Sequence, residues 1–387
     1  MVCAVPIAWL QLTRDKVRLL VAIAGVAFAV VLVCMQLGFQ EAMFSSSVRY
    51  HRSLRYDLAM ISPKTGFIVQ PESFSRRRLY QILGAPGVAA VTPLYIGLGD
   101  WRNPEHPSEA RRIFVVGFDP SDRVFEVPGV DRYREALKRP DVVLFDESSR
   151  PEFGPIPRLV REAGPDGFHT EVANRDVRVA GLFELGTSFG IDASLVTSDL
   201  NFRRIFPNRQ AGQIDIGLIH LERGADPRAV RDALAARLPP DVQILTRDGF
   251  IEREIDYWRR ATPIGYVFSF GVIMGLVVGG IIVYQILFAD VSEHVREYAT
   301  LKAIGYTDQY LFAVVIQQAL LLALLGFGPG VLASMALYRE AGRATHLPVQ
   351  MTVPLALGVL ALTALMCAVA GSIALRKVRQ ADPAEIF

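Results

Sequence analysis

Four long stretches of the sequence contain no Asp, Glu, Lys or Arg, although these residues make up 21% of the 387-residue chain. The stretches are residues 19–40, 261–289, 309–338 and 344–375. A helix of about 20 apolar residues crosses the roughly 30 Å of membrane hydrocarbon, because its backbone amides are hydrogen-bonded within the helix. The sequence therefore predicts an α-helical membrane protein. The four predicted transmembrane helices are residues 19–39, 264–288, 310–337 and 355–375.

A long segment, residues 40–262, separates the first two predicted helices and has the composition of a globular domain. Near each of its ends, patterns typical of a strand, a helix and a second strand follow one another. In the first of these units Ser73 is the predicted N-cap of the helix and Gly84 its stop. The fold class is thus a four-helix membrane protein with a large α+β domain inserted between helices 1 and 2. We expect a membrane-proximal βαβ lobe from residues 56–119 and 210–247, and a β-rich distal lobe from residues 120–209.

Basic residues near the helix ends predict the orientation, because Lys and Arg on short segments favour the cytoplasmic side. One side of the membrane carries Arg14, Lys16, Arg18, Arg296, Lys302, Arg376, Lys377 and Arg379, and the short loop on the other side carries Arg339 and Arg343. We therefore expect both termini in the cytoplasm and residues 40–262 in the periplasm, at the inner membrane of a bacterium. A cleaved signal peptide is the alternative for residues 19–39, but that apolar run exceeds the usual core of about 7 to 15 residues.

The single predicted cytoplasmic loop, residues 289–309, has the pattern of a short amphipathic helix. Its sequence from 290 to 306 is DVSEHVREYATLKAIGY. The residues along one helical stripe are Val291, Val295, Tyr298, Leu301 or Lys302, and Ile304, with Gly305 as the C-terminal stop. Such a helix docks on a partner protein or rests on lipid, and the pattern leaves both open. The other short segments are an interfacial N-terminal helix at 1–18, a periplasmic loop at 338–354 and a cytoplasmic tail at 376–387.

Small and polar residues inside the predicted helices indicate helix packing. Gly271, Gly275 and Gly279 recur at every fourth residue of the second helix and lie along one face, where small residues let two helices approach closely. We expect this face to pack between the two subunits of a homodimer, with packing inside one subunit as the alternative. In the third helix, Gln317 and Gln318 must face protein or water, and we expect an interhelical hydrogen bond.

Composition and motifs exclude several classes of function. Forty-one Lys and Arg against 39 Asp and Glu leave a formal charge of +2, so no basic field indicates nucleic acid. Cys3, Cys34 and Cys367 lie at the terminus or in apolar runs and predict no disulfide framework. The sequence has no phosphate-binding Gly-Lys-Ser/Thr loop and no His-Glu-x-x-His motif, and the predicted helices contain no charged residue of an ion pathway. We therefore expect no catalytic residue, no metal and no cofactor in this chain.

Three segments carry a resemblance to a known family. REYATLKAIGY at 296–306 and RKVRQADPAEIF at 376–387 resemble the C-terminal part of the FtsX/MacB-like permeases of ABC transporters. That family also has one span, a large periplasmic domain and then three spans. IAWLQLTRDKVRLLVAIAGVAFAVVLVCMQLGFQEAMFSSSV at 7–48 is similar to the N-terminal part of DevC-like exporter permeases.

The resemblance implies a homodimeric permease that works with a separate ABC ATPase subunit, which binds the ATP, and with a periplasmic membrane-fusion protein and an outer-membrane duct. It implies that ATP-driven motion is relayed to the periplasmic domain (mechanotransmission) and drives export of a lipid, glycolipid or other hydrophobic substrate. The loop helix would then be the coupling helix, with Val291, Val295, Arg296, Glu297, Tyr298, Leu301, Lys302 and Gly305 at the ATPase. A lipoprotein-releasing permease and an FtsX-like regulator of a periplasmic hydrolase share the layout and are the alternatives.

Overall fold

The chain folds into two compact units. The computed structural model describes residues 5–295, 304–345 and 347–380. One unit, the inserted domain, is Met43–Thr262, and the other, the membrane unit, combines Met1–Ala42 with Pro263–Phe387. The inserted domain therefore interrupts the membrane unit in the chain, as the sequence predicts.

Helices and strands are numbered in chain order. The helices are α1 (Val5–Arg14), α2 (Lys16–Ser47), α3 (Arg49–Ser53), α4 (Arg76–Gln81), α5 (Val130–Tyr133), α6 (Ile156–Ala163), α7 (Asp199–Ile205), α8 (Pro227–Ala235), α9 (Arg247–Asp256), α10 (Ile264–Glu293), α11 (Asp308–Thr345) and α12 (Val353–Gln380). The strands are β1 (Leu58–Ile61), β2 (Phe74–Ser75), β3 (Val88–Arg102), β4 (Ala110–Phe118), β5 (Val142–Asp146), β6 (Phe168–Val172), β7 (Arg175–Phe183), β8 (Ser194–Ser198), β9 (Gln213–Ile214), β10 (Ile216–Leu221) and β11 (Gln243–Thr246).

Four helices, α2, α10, α11 and α12, are long and apolar enough to cross a membrane. This finding confirms the predicted fold class. The helices extend beyond the charge-free stretches, because backbone hydrogen bonding continues where the side chains become polar. Thus α10 runs to Glu293, past its predicted end at residue 288. At the start of α2, the carboxylate of Asp15 accepts the backbone N–H groups of Val17 and Arg18 at 3.0 and 3.1 Å and caps the helix.

The two βαβ units of the inserted domain share one sheet. Its strand order here is β11-β1-β10-β3, and each neighbouring pair is antiparallel. Since β1 leads through α4 to β3, and β10 leads through α8 to β11, the two split units interleave as in a ferredoxin-like fold. The cap of α4 is Ser75, which accepts the N–H of Arg77 at 3.4 Å, and not the predicted Ser73. Ser73 instead donates to the buried Asp215 at 2.8 Å.

The long strand β3 serves two parts of the sheet. Up to Leu94 it pairs with β10, and from Tyr95 onward it pairs with β4. Strands β8, β5, β7 and β6 continue from β4, and the pairing of Trp101 in β3 with Val172 in β6 closes a ring. The predicted division into lobes at residue 120 is therefore not observed, because the second half of β3 and all of β4 belong with the strands that follow. A strand pattern in sequence does not show that one strand has different neighbours along its length.

The sheet is buried on both faces. In β1, Leu58 and Met60 belong to one hydrophobic cluster, whereas Ala59 and Ile61 belong to another. Successive side chains of a strand point to opposite faces. The inserted domain therefore has apolar cores on both sides of its sheet.

Candidate functional site

Polar side chains from four helices of the membrane unit meet near the start of α2 and the end of α10. They are Gln11 of α1, Arg18 of α2, Asp290 and Glu293 of α10, and Gln318 of α11. We call this group the basal cluster. Two of its members, Asp290 and Glu293, lie at the start of the predicted loop segment 289–309. Polar groups in membrane helices are costly unless they are paired, so such a cluster is a candidate functional site.

Arg18 and Glu293 join the first turn of α2 to the last turn of α10. Nη1 and Nη2 of Arg18 donate to the two carboxylate oxygens of Glu293 at 2.7 and 2.9 Å. This forked geometry fixes the relative orientation of the two side chains. Because the Glu293 side chain is 62% exposed, solvent screens the pair, and it contributes little to stability. Its main effect is geometric, since it holds α2 and α10 together at this end.

Asp290 is the buried carboxylate of the basal cluster and is 5% exposed. Nε2 of Gln318 donates to Oδ2 of Asp290 at 3.2 Å and to Oε1 of Gln11 at 3.0 Å. The interhelical hydrogen bond expected of Gln318 is thus confirmed. Asp290 contradicts the expectation that the transmembrane helices bury no charged residue. It comes directly after the charge-free stretch 261–289, and the sequence predicts a separate loop helix there, whereas α10 continues without a break to Glu293.

The structure describes part of the predicted coupling segment. Val291 is fully buried and packs with Leu311 and Leu375 of α11 and α12. Its assignment as an ATPase contact is therefore wrong, because α10 continues through it and turns it inward. Val295 is partly buried, and Gly305 is exposed with a φ of 109°, which suits a helix stop. The other predicted contacts lie outside the described residues: Arg296, Glu297, Tyr298, Leu301 and Lys302.

The glycine face of α10 packs against α2 of the same chain. A Cβ atom at Gly271, Gly275 or Gly279 would meet Gln36, Val33 or Ala29, respectively. At Gly275 the distance to Val33 Cγ2 would be 3.3 Å, which is tighter than an ordinary contact. This face is therefore covered within one subunit, and the expected packing of it between two subunits is wrong. The alternative that we predicted from the sequence, packing inside one subunit, is the one observed.

A second pair of glycines on α11, which the sequence analysis missed, also packs against α2. A Cβ atom at Gly326 would lie 2.5 Å from Cβ of Val26, and one at Gly330 would lie 2.7 Å from Cβ of Val30. The signal was present in the sequence, since these glycines are four residues apart. Helix α2 is thus held in close contact by small-residue faces of both α10 and α11.

An apolar groove of about 500 Å³ lies between α10 and α12. Its lining residues are Ile273, Leu276, Val277, Gly280, Ile281, Tyr284, Leu362, Leu365, Met366, Val369, Ala370 and Ile373. Ile273, Val277 and Ile281 are about half exposed. On membrane helices such a surface suits the acyl chains of lipid.

The fold and the basal cluster define a class of protein. The described residues form four membrane-crossing helices with a large α+β domain inserted after the first, and the polar groups of the cluster tie helices together. This is the layout of a multi-pass permease subunit. A family model described as FtsX-like permease C-terminal matches residues 269–383, and one described as MacB-like periplasmic core domain matches residues 19–237. The chain belongs to the FtsX/MacB-like family of ABC transporter permeases.

Known proteins are similar along most of the chain. An ABC transporter permease of Mycobacterium tuberculosis is 24% identical over 382 residues, which are 96% of each chain. A second permease of that organism is 26% identical over 275 residues, 66% of this chain and 71% of the other. The periplasmic region of MacB from Actinobacillus actinomycetemcomitans matches 55% of this chain and 97% of its own length, with 12% identity and a TM-score of 0.36.

Family membership confirms the resemblance to FtsX/MacB-like permeases and the fold class inferred from the sequence. It makes the chain a multi-pass inner-membrane protein and a transporter subunit, and it implies a partner ATPase. The finer similarity to DevC-like permeases and the orientation of the termini stay predictions.

Proposed function

We propose that the chain is the permease subunit of a tripartite ABC exporter that works by mechanotransmission. In this proposal a separate ATPase subunit binds and hydrolyses ATP, and two copies of the chain form a homodimer with their termini in the cytoplasm. The motion passes through the membrane helices into the inserted domain in the periplasm. A membrane-fusion protein and an outer-membrane duct complete the export path, and the substrate is a lipid, a glycolipid or another hydrophobic molecule.

The observation that carries this proposal is the forked pair between Arg18 and Glu293. From this pair α2 runs without interruption to Ser47, where the chain has entered the inserted domain, and α10 starts at Ile264, just after the chain leaves it. An α-helix with all its internal hydrogen bonds is a stiff rod. A displacement applied just beyond Glu293 would therefore move both helices that flank the inserted domain in the chain.

The buried polar groups of the membrane unit support a relay more than a conduction path. Among its described residues, the buried side chains of the Asp, Glu, Lys, Arg and His types are Asp290 and His294, which lie within about one turn of each other near one end of α10. A proton or ion pathway would require such groups at several depths along the helices. The distribution of these groups fits a membrane part that moves without conducting.

Binding of the ATPase to the loop tests the cytoplasmic half of the proposal. Leu301 lies on the predicted apolar stripe, and burial of one leucine contributes about 1.5–3 kcal/mol. Leu301→Asp should therefore weaken ATPase binding by at least about tenfold, since it also buries an unpaired charge. The measurement is binding of the purified ATPase to the full chain in nanodiscs, together with ATP turnover of the complex.

The control is Arg343→Asp, which introduces the same residue at an exposed position near the end of α11, on the predicted periplasmic side, and should leave ATPase binding at its wild-type strength. Full-strength binding and unchanged coupled turnover in Leu301→Asp would show that the loop rests on lipid. The proposed transfer of motion from the ATPase through this loop would then be wrong.

A further inference from the structure

His51 occupies an unusual site at the start of the inserted domain. It lies in α3, which follows α2 after a single residue, and its side chain is fully buried. Neither ring nitrogen has a hydrogen-bond partner among the described residues. The ring packs edge-on against Phe250 of α9, with 4.4 Å between centroids. Burial lowers the pKa of His51 to about 3, so the imidazole is neutral in this environment.

The nearest ionisable group is the carboxyl of Glu254 on α9, which is also buried. Its Oε2 atom lies 3.6 Å from Nε2 of His51. Glu254 accepts the backbone N–H of Ile68 and the indole N–H of Trp258, each at 2.9 Å. Burial nevertheless raises the pKa of Glu254 to about 7, because two neutral donors compensate only part of the lost hydration. Below about pH 7 a protonated carboxyl thus faces a neutral imidazole.

Other charged and titratable groups lie near His51 and Glu254, but their hydrogen bonds go to other parts of the domain. Arg253 donates to backbone carbonyls of the loop that follows β1, and Arg247 donates to a backbone carbonyl of α3. Asp248 and Arg247 act on the phenol of Tyr56, whose pKa is raised mainly by burial. Tyr50 is buried, and its hydroxyl has no partner among the described residues. None of these groups forms an ion pair with His51 or Glu254 in the described structure.

The pair also has a distinctive place in the chain. α3 receives the chain from α2, while Trp258, bonded to Glu254, lies in a π-helical turn, Tyr257–Ala261, that leads toward α10. Turns of this type occur frequently at functional sites. His51 and Glu254 therefore join the segment by which the chain enters the inserted domain to the segment by which it leaves.

We propose that His51 and Glu254 form a one-proton latch between α3 and α9. In the closed, buried state the proton is on Glu254 and faces Nε2 of His51. When α3 separates from α9 and water enters, the O–H bond of Glu254 breaks and an N–H bond forms at Nε2 of His51, which leaves a hydrated carboxylate and a hydrated imidazolium. The pair holds one proton in both states, so opening neither takes up nor releases a proton.

Because the number of bound protons does not change on opening, the latch has a measurable consequence. Hydrated Glu and His have pKa values of about 4.5 and about 6.5, so between these pH values the opened pair retains its proton. Opening is then nearly independent of pH, although each residue alone would make it strongly pH-dependent. The role of the latch in export rests on the proposed function, since opening of the latch would let movement of the transmembrane helices reach the inserted domain.

Hydrogen exchange of the α3 amides tests the latch in the full chain, in nanodiscs and without partner proteins. After correction for intrinsic exchange, the wild type should show the same opening within about threefold at about pH 5 and about pH 6.5. Glu254→Gln should open about tenfold more at the lower pH, because His51 alone gains a proton on opening. His51→Gln should open about tenfold more at the higher pH, because Glu254 alone loses one. Glu252→Gln, an exposed neighbour on α9, should behave as the wild type.

The double variant should again be independent of pH. A wild type with strong pH dependence, or single variants that respond in the same direction or not at all, would overturn the latch. If a single variant does not fold, NMR titration of the imidazoles in histidine-labelled wild-type protein tests the latch instead. One of its six imidazoles should stay neutral at about pH 5, and ordinary titration of all six would overturn the proposal. None of these readouts uses the ATPase, so failure of the latch is distinct from failure of the proposed function.

Discussion

Arg18 and Glu293 are 275 positions apart in the chain and bind each other through two hydrogen bonds of 2.7 and 2.9 Å. Each lies in the terminal turn of a long helix, and those two helices flank the inserted domain in sequence. The pair therefore links the helix that leads into that domain to the helix that leads out of it, at the helix ends farthest from the domain in sequence. Because the pair is exposed, it contributes little to stability, and its expected role is to make the two helices move together.

Reversing one charge should uncouple the complex without unfolding it. Arg18→Glu or Glu293→Arg places like charges in contact, and we expect loss of coupled ATP turnover with little change in stability, because the pair is screened by solvent. Combining both changes should restore most of the coupling. The control is the exposed pair Arg343 and Glu340, which lies within one helix; its reversal should have no effect. Normal coupling in the single variants, or no rescue in the double variant, would contradict the role of the pair.

Enlarging a glycine between α10 and α2 should destabilise the membrane unit. In Gly279→Leu the added side chain meets Ala29 and Met366, and overpacking of this kind costs about 1–3 kcal/mol. Gly358→Leu on α12 is the matched control, because a Cβ atom there meets nothing within 4 Å. Thermal unfolding in detergent should separate the two variants. Equal unfolding temperatures would show that α2 does not rest on this face.

The bond between Gln318 and Asp290 should be energetically coupled. Gln318→Leu leaves a buried carboxylate without its donor and should cost about 1–3 kcal/mol of unfolding free energy. The double change to leucine at both positions should cost less than the sum of the single changes, by about 1 kcal/mol. Gln317→Leu is the control, because Oε1 of Gln317 accepts no hydrogen bond among the described residues. Strict additivity would show that the two residues do not interact.

Asp141 gives a pH-dependent prediction for the inserted domain. Hydrogen bonds from Arg175, together with Arg204, lower the pKa of its carboxyl below the usual value. A lowered pKa means that this stabilisation is present above about pH 4 and is lost as the pH falls through the folded-state value. Asp141→Asn also suits the positive φ of 59° at this position. It should lower the unfolding temperature at neutral pH, and the difference from the wild type should vanish in acid. A difference that is constant with pH would contradict this account.

The membrane helices and the inserted domain were predictable because their signals are local. A charge-free run specifies a span, and alternating strand and helix patterns specify the βαβ units. The errors concern partners that the local sequence does not specify. Asp290 follows an apolar run, and only its bond to Gln318, 28 positions further on, shows why it is buried. The spacing of Gly275 and its neighbours shows a small face but not that α2 covers it, and no pattern within β3 shows its second set of neighbours.

The His51–Glu254 pair illustrates the same limit. The sequence shows an isolated histidine and a glutamate in a charged helix, about 200 positions apart, and surface locations are the ordinary expectation for both residue types. Their burial follows from the contact of α3 with α9, which is a tertiary feature. A sequence pattern therefore does not distinguish Glu254 from its exposed neighbour Glu252.

The central claim is that ATP turnover moves the inserted domain through the helices that flank it, and a distance measurement in the assembled complex tests it most directly. A spin label at Asp166→Cys, an exposed position of the inserted domain, would report the separation of the two copies of the proposed homodimer in nanodiscs with the ATPase. We predict that the distance distribution shifts between the nucleotide-free and ATP-bound states in the wild type, and that the shift is lost in Arg18→Glu and regained in Arg18→Glu/Glu293→Arg. An unchanged distribution while the wild-type complex binds and turns over ATP would contradict the account.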